Sequence, residues 1–240
     1  MIQVKNVILI ITSLFFAVIG GLNAAFSQQT VFNVPSADVT PKGKLFLQQE
    51  SQFRAWNPDA FWWGTGYSAY GIGHNTELDL TIFNVSAPSS NNITLGSGFK
   101  SVFLIPKLDK KYPEREYKFT IGSEVLTSLE GKGVGTWTYT HLSGRLPVVK
   151  TRLTGGVSYG SKQVFGRDVF CFITAVEQPV TKKLSIIMDW FSGNEHFAGF
   201  LIPGVSYALP DNKMIFVGYQ IPNSSKSGSS GFVIELSKIF

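Results

Sequence analysis

Hydrophobic and polar residues alternate in short stretches along most of the chain, and residues that favour turns separate these stretches. In one stretch, Leu78, Leu80 and Ile82 take every second position. The acids Glu77 and Asp79 stand between them. Because neighbouring side chains of a β-strand point to opposite faces, this pattern predicts a strand with one apolar and one polar face.

Twelve such stretches follow one another, with glycine, proline, asparagine or aspartate between most of them. This regular spacing predicts an all-β protein of antiparallel strands joined by turns. Ten strands are also compatible with the pattern, since a single sequence fixes strand boundaries only to within a few residues. The predicted strands span 44–56, 63–73, 76–85, 93–105, 115–129, 136–146, 150–161, 168–178, 183–192, 198–208, 214–221 and 231–240.

The polar faces are rich in small residues, and aromatic residues stand near several strand ends. Both features are typical of a transmembrane up-and-down β-barrel, in which aromatic girdles lie at the two membrane surfaces. A soluble secreted β-sandwich, with its apolar face turned inward, is the alternative. The predicted girdle residues are Trp56, Trp62, Trp63, Tyr67, Tyr112, Tyr117 and Trp190.

Composition favours the membrane interpretation. Only 15% of the 240 residues are charged, whereas a soluble domain usually has about 25%. The mean hydropathy is +0.12, yet no long apolar run occurs beyond the N-terminus. Apolar residues spread over alternate strand positions explain both facts, so we predict a barrel in the bacterial outer membrane with outer-membrane lipids as partners.

The N-terminus has the features of a secretory signal peptide. Lys5 supplies the positive charge, residues 7–21 form an apolar stretch, and Ala25-Phe26-Ser27 fits a cleavage site. An uncleaved membrane anchor is the alternative, since the apolar stretch is long for a signal peptide. The predicted organisation is a signal peptide at 1–27, an extension at 28–43 that lies in the periplasm or in the lumen, and a barrel at 44–240.

Charged residues occur on the polar strand faces, which a barrel would turn toward its lumen. Both signs are present, so these groups either pair into a plug of salt bridges or line a narrow pore that sorts solutes by charge. Twelve strands lie between small filled barrels and wide porins, so size does not decide. The predicted lumen-lining residues are Glu50, Arg54, Glu77, Asp79, Lys118, Glu124, Arg152 and Glu235.

The chain ends in Phe240, and Phe232, Ile234 and Leu236 precede it at alternating positions. This stretch resembles the closing strand of bacterial outer-membrane barrels. The resemblance implies that Phe240 is an assembly signal read by the barrel assembly machinery. Lys238 departs from the pattern, because an apolar or aromatic residue is usual there. The whole chain is similar in pattern to small porin-like and transporter-like barrels.

His141 and Ser143 are two residues apart, so a strand would place both side chains on one face, where the imidazole could activate the hydroxyl. The pair resembles the His-x-Ser motif of outer-membrane phospholipase and lipid A deacylase. In those families an Asn follows the Ser, and a further Asn or Glu orients the His. Gly144 follows here, and residues 153–159 offer no such group, which disfavours an enzyme.

Two clusters could in principle hold a cation. His74 precedes Glu77 and Asp79, but a hairpin turn followed by two lumen-facing acids explains them better. Three further residues, Asp189, Glu195 and His196, surround a glycine-containing loop without metal-ligand spacing. With three histidines and one cysteine in the chain, we predict no metal site, no cofactor and no internal disulfide.

Three functions are compatible with these observations. The leading one is a narrow pore or transporter for a small-molecule solute. The second is a closed structural or adhesive barrel of the cell envelope, and the third is a lipid hydrolase that uses His141 and Ser143. A nucleic-acid partner is not expected, because the net charge of +5 comes without any dense run of Lys and Arg.

Overall fold

The computed structural model describes residues 29–54, 60–88, 92–105, 108, 111–194 and 199–240. The predicted signal peptide at 1–27, the girdle residue Trp56 and the loop residues Glu195 and His196 lie outside these ranges.

Twelve antiparallel strands follow one another around a closed barrel, and the first strand pairs with the last. The all-β fold and the strand number predicted from the pattern are confirmed, and most strand boundaries fall within three residues of their predicted positions. The strands are β1 (Leu45–Phe53), β2 (Ala60–Gly73), β3 (Thr76–Pro88), β4 (Thr94–Leu104), β5 (Lys118–Ser128), β6 (Val134–Arg145), β7 (Arg152–Gly160), β8 (Phe170–Pro179), β9 (Leu184–Phe191), β10 (Phe200–Leu209), β11 (Lys213–Pro222) and β12 (Gly231–Ile239).

The outer surface of the barrel is apolar. Leu78 of β3, Phe172 of β8 and Phe232 of β12 are each more than half exposed. The two residues that flank each of them along its strand are buried inside the barrel. A soluble protein rarely exposes so continuous an apolar surface, whereas lipid tails match it. Because every strand has a partner on both sides, no unpaired strand edge faces the membrane.

The two ends of the barrel differ. Most connections at the end that holds the start of β1 and the end of β12 are short, such as residues 74–75 and 210–212; residues 105–117 form the long exception. We call this the turn end. The opposite end, the loop end, carries longer connections such as 161–169 and 223–230. In bacterial barrels short turns face the periplasm and long loops face outward.

Short helices occur only in connections within the described part of the chain. The α-helix α1 (Lys162–Phe165) lies between β7 and β8, and 3-10 turns occur at Pro113–Arg115 and Ser225–Ser227. None of the helices in the described ranges has the length and apolar character needed to cross a bilayer.

Candidate functional site: the barrel interior

Residues 29–40 lie inside the barrel as a loop, which we call the inner segment, and the exposed residues 41–44 connect it to β1. Its residues Val31 and Val34 have no exposed surface, and Phe32 is 2% exposed. A backbone bond from Val31 N to Val34 O closes its tip. Near the turn end, Gly43 N donates to Gly71 O of β2, and Gly71 N donates to Lys44 O. The inner segment therefore enters from the turn end and fills part of the lumen.

One carboxylate on β9 holds the tip of the inner segment. Asp189 Oδ2 accepts three backbone N–H groups, from Phe32 at 2.9 Å, Asn33 at 2.6 Å and Val34 at 2.7 Å. Asp189 is 1% exposed. A negative charge that accepts three consecutive N–H groups stabilises both the turn and the buried charge.

The Phe32 ring fills a notch in the apolar wall formed by β8 to β12. It packs edge-on against Phe216, with ring centroids 6.4 Å apart. A Cβ atom added to Gly204 or to Gly218 would lie 2.6 Å from Phe32 Cζ. Only glycine at these two positions leaves room for the ring, so the wall is shaped to receive the tip.

A buried ion pair ties the inner segment to β3 and β4. Lys100 Nζ lies 2.9 Å from Glu77 Oε1, and both side chains are almost fully buried. Lys100 also donates to Gln29 at both its backbone oxygen (3.1 Å) and its side-chain oxygen (2.6 Å). Thr40 N donates to Glu77 Oε2 at 2.6 Å. Both charged groups thus have partners on the inner segment as well as on each other.

Asp38 anchors the inner segment at the turn end. Its carboxylate lies 2.8 Å from Arg152 Nη1 of β7 and 3.3 Å from Lys118 Nζ of β5. Arg152 also contacts Glu177 of β8 at 3.4 Å. Burial alone would raise the Asp38 pKa, but the two cations outweigh burial and hold the pKa well below its usual range. Asp38 therefore stays charged at neutral pH.

Above the inner segment, the loop-end half of the lumen contains a cavity of about 800 Å³. Its floor is the inner segment itself, through Thr30, Phe32 and Asn33. Its walls carry polar side chains, aromatic rings and two acids, Glu50 and Glu124. The ring-bearing residues that line it are Phe32, Trp63, Tyr67, Phe83, Trp137, Tyr139, Phe165, Phe191 and Phe200.

Glu50 and Glu235 face each other across the closing strand pair. Amide groups surround them: Gln52 donates to Glu50 at 2.7 Å, and Gln48 donates to Glu235 at 3.0 Å. Arg54 follows β1, and its guanidinium stacks between the rings of Trp63 (4.9 Å) and Phe200 (5.6 Å). Its packing against these rings fixes the Arg54 side chain beside the cavity.

All eight charged residues predicted to line the lumen are buried or half-buried inside the barrel. Six of them fall into two groups. Glu77, Lys118 and Arg152 contact residues of the inner segment. Glu50, Arg54 and Glu124 line the cavity. The other two, Asp79 and Glu235, are buried in the wall and are not among the residues that line the cavity. Whether any of them conducts a solute stays a prediction.

The girdle prediction is wrong for two residues. Trp63 and Tyr67 line the internal cavity instead of lying at the membrane surface. Alternation in β2 is unbroken over this stretch, and the pairing with β1 places Trp63 and Tyr67 opposite Gln52 and Gln48, which also line the cavity. Aromatic residues occur on both faces of β2, so the sequence pattern does not reveal which face turns inward. Trp190 does face outward, where its Nε1 donates to Asn223.

His141 and Ser143 share the inner face of β6, as their spacing predicts, at 2% and 5% exposure. Neither ring nitrogen of His141 has a hydrogen-bond partner among the described residues. A His-activated serine needs a group that orients the His, and a lipid hydrolase needs its serine within reach of lipid. This geometry gives the hydrolase hypothesis no support.

Three residues of this interior escaped the sequence analysis as site residues. Lys100 alternates with the apolar Phe99 and could have been found by extending the two-residue period through β4. Asp189 is an isolated acid within an apolar stretch; it lies in β9 beneath the inner segment and not in a loop cluster. Asp38 had no signal, because its partners are more than 75 residues away in the sequence.

Phe240 is half exposed at the turn end, and its N–H donates to Leu45 O at 2.8 Å. Lys238 Nζ lies 4.2 Å from the Phe240 ring centroid. The assembly signal implied for Phe240 stays a prediction. No described group of three or more His, Cys, Asp or Glu residues could hold a metal ion.

Comparison with solved structures reveals outer-membrane β-barrels. The KdgM porin, solved in complex with disordered oligogalacturonate, aligns at 9% identity with a TM-score of 0.53, over 82% of this chain and 99% of that chain. Omp33 of Acinetobacter baumannii (12% identity, 83% and 99% coverage) and the COG4313 outer membrane channel of Pseudomonas putida F1 (8% identity, 92% and 100% coverage) each give 0.49. Because their TM-scores lie below 0.5, these two structures add no support to the assignment of the fold.

No protein-family model matches the chain, and no curated protein matches it in sequence. At 9% identity the likeness to the porin establishes the fold alone. The closed twelve-strand barrel and its apolar exterior place the chain among the β-barrels of the bacterial outer membrane.

Proposed function

We propose that this barrel is a gated pore or transporter for small solutes, which enter the cavity at the loop end and pass only when the inner segment moves. The observation that carries the proposal is the internal cavity of about 800 Å³, a volume typical of small-molecule sites, with the inner segment as its floor. A barrel with a purely structural role has no need of such a space.

The contacts of the inner segment support a gate. Its polar anchors are separate points, namely Asp189, the Glu77–Lys100 pair and the Arg152–Asp38 pair, and no strand pairing runs along the described segment. Point contacts of this kind can be released without opening the barrel wall. A closed envelope barrel is the second candidate, and the same plugging favours it if the inner segment never moves.

Planar-bilayer recording distinguishes these two. We expect wild-type protein to show small or brief current steps, and Asp189→Ala to show larger and longer ones, because the tip loses its anchor. Asp211→Asn, an exposed residue of the β10–β11 turn, is the matched control and should behave as wild type. Folded protein that inserts but stays silent in both wild type and Asp189→Ala would favour the closed barrel.

A further inference from the structure

Two acids occupy one row of the inner wall, and no cation of the described chain is in ion-pair contact with either carboxylate. Asp79 of β3 and Glu124 of β5 both lie opposite Gly98 of the intervening strand β4. Their exposures are 6% and 5%, and neither carboxylate has an ion-pair partner in the described ranges. Two buried carboxylates this close are unfavourable unless a cation or protons accompany them.

The nearest base cannot serve as their partner. Lys100 has three N–H groups, and it contacts Glu77 Oε1, the Gln29 backbone oxygen and the Gln29 side-chain oxygen. The three contacts use its donors. The inner segment therefore neutralises the row that contains Glu77 but leaves the neighbouring row, with Asp79 and Glu124, unneutralised.

The cavity gives an external ligand access to this row. Glu124 and Thr81 both line it. Glu124 and Thr81 lie within hydrogen-bonding reach of each other, Glu124 Oε2 has no partner of normal geometry among the described residues, and Thr81 is 3% exposed. A Cβ atom at Gly96 would lie 2.7 Å from Glu124 Oε2, so the carboxylate extends over a position that has no side chain. The oxygen atoms thus converge at the cavity wall.

Aromatic rings surround the same place. Trp137 of β6 is the register partner of Glu124, and its ring lies 4.8 Å from that of Tyr139. Tyr67 of β2 also lines the cavity and lies within hydrogen-bonding reach of Asp79. Carboxylates with aromatic faces nearby attract organic ammonium groups, through charge and through cation–π contact.

We propose that Glu124, with Thr81, Tyr67, Trp137 and Tyr139, forms a binding site for a small organic cation that carries an ammonium group, and that Asp79, behind the Tyr67 hydroxyl, adds negative charge without lining the cavity. The inference rests on the proposed function, because the ligand must enter from the loop end. The lysines at the cavity mouth, Lys132, Lys162 and Lys226, are exposed, so water and salt screen their repulsion.

Calorimetric titration tests this site, with the protein refolded without its predicted signal peptide in octyl glucoside, a detergent that has no ammonium group. The probes are choline chloride and its uncharged isostere 3,3-dimethylbutan-1-ol. We expect saturable binding of choline and none of the alcohol. Glu124→Gln should weaken choline binding by about tenfold or more, because it removes a buried charge at the cavity wall, and Asp79→Asn should weaken it less, because Asp79 does not line the cavity. Asp211→Asn, which changes an exposed acid at the turn end, should bind as wild type.

Equal binding of choline and the alcohol, absence of binding, or undiminished binding by Glu124→Gln would overturn the proposal and leave protons as the partners of the two acids. If the variants fail to fold, the contrast between the two probes on wild-type protein still decides. Planar-bilayer recording separates the two proposals: a silent protein that binds choline contradicts the pore, and a conducting protein that ignores choline contradicts this site.

Discussion

The charged groups inside this barrel fall into two regions that differ in their partners. In the turn-end region, Glu77, Lys100 and Arg152 each pair with another charged side chain or with the inner segment. In the loop-end region, Glu124 borders a cavity and has no cation beside it within the described chain. The same barrel wall supplies both sets.

In our two proposals, the turn-end region closes the lumen and the loop-end region binds a ligand. Where the chain supplies its own counter-charges, the lumen is filled and no solute can compete without displacing the inner segment. Where it does not, buried polar atoms remain available to a ligand from outside. The comparison predicts that neutral substitutions will have opposite effects on stability in the two regions.

The largest effect is expected when the tip anchor is removed. Asp189→Ala takes one acceptor from three buried N–H groups, and we expect the docked state of the inner segment to lose about 4 kcal/mol. Hydrogen exchange of the Phe32, Asn33 and Val34 amides should then accelerate strongly. Unchanged protection of these amides would show that Asp189 does not hold the tip, and Asp211→Asn controls for charge alone.

A smaller loss is expected in the turn-end ion pair. Glu77→Gln leaves Lys100 buried without its counter-charge and weakens the bond to Thr40 N, so the free energy of unfolding should fall by about 3 kcal/mol. Urea unfolding in lipid vesicles measures this change. Asp211→Asn, in an exposed pair with Lys213, should leave the unfolding curve where it is. Equal curves for both variants would mean that the buried pair contributes nothing.

Steric crowding in the notch for Phe32 should cost about 2 kcal/mol of the free energy that docks the tip of the inner segment. Gly218→Ala places a methyl group 2.6 Å from Phe32 Cζ and 2.9 Å from Ile202 Cγ2, which should weaken docking of the tip by about that amount. Gly155→Ala is the matched control, because a Cβ there meets nothing within 4 Å. Adding Phe32→Leu should restore amide protection in the Gly218→Ala variant, and failure of this rescue would argue against steric displacement of the ring.

The smallest expected effect has the opposite sign. Glu124→Gln removes an unneutralised buried charge, so we expect the free energy of unfolding to rise by about 1 kcal/mol in the absence of ligand. The same urea titration measures it beside Glu77→Gln. A loss of stability in both variants would show that Glu124 has a stabilising partner and that the two regions do not differ.

The strands could be predicted well because each satisfies a local rule. Alternation through Leu78, Leu80 and Ile82 needs only a strand with lipid on one side and a lumen on the other. Trp63 and Tyr67 could not be assigned correctly, since β2 carries aromatic residues on both faces and only its pairing with β1 decides which face turns inward. The polar face of β4, with Lys100, obeyed the same local rule as the others but carried only one charge.

By itself the sequence indicated antiparallel strands with one apolar and one charged face, because these follow from local backbone geometry, while closure of β1 against β12 decided for twelve strands over ten. Only the tertiary structure decided how the lumen is used. From the sequence, residues 28–43 were equally compatible with the periplasm and the lumen, and it took long-range contacts such as Asp189–Phe32, Lys100–Gln29 and Arg152–Asp38 to join part of this segment to the inner wall. These contacts join residues far apart in the chain, and no local pattern encodes which charges meet once the barrel closes.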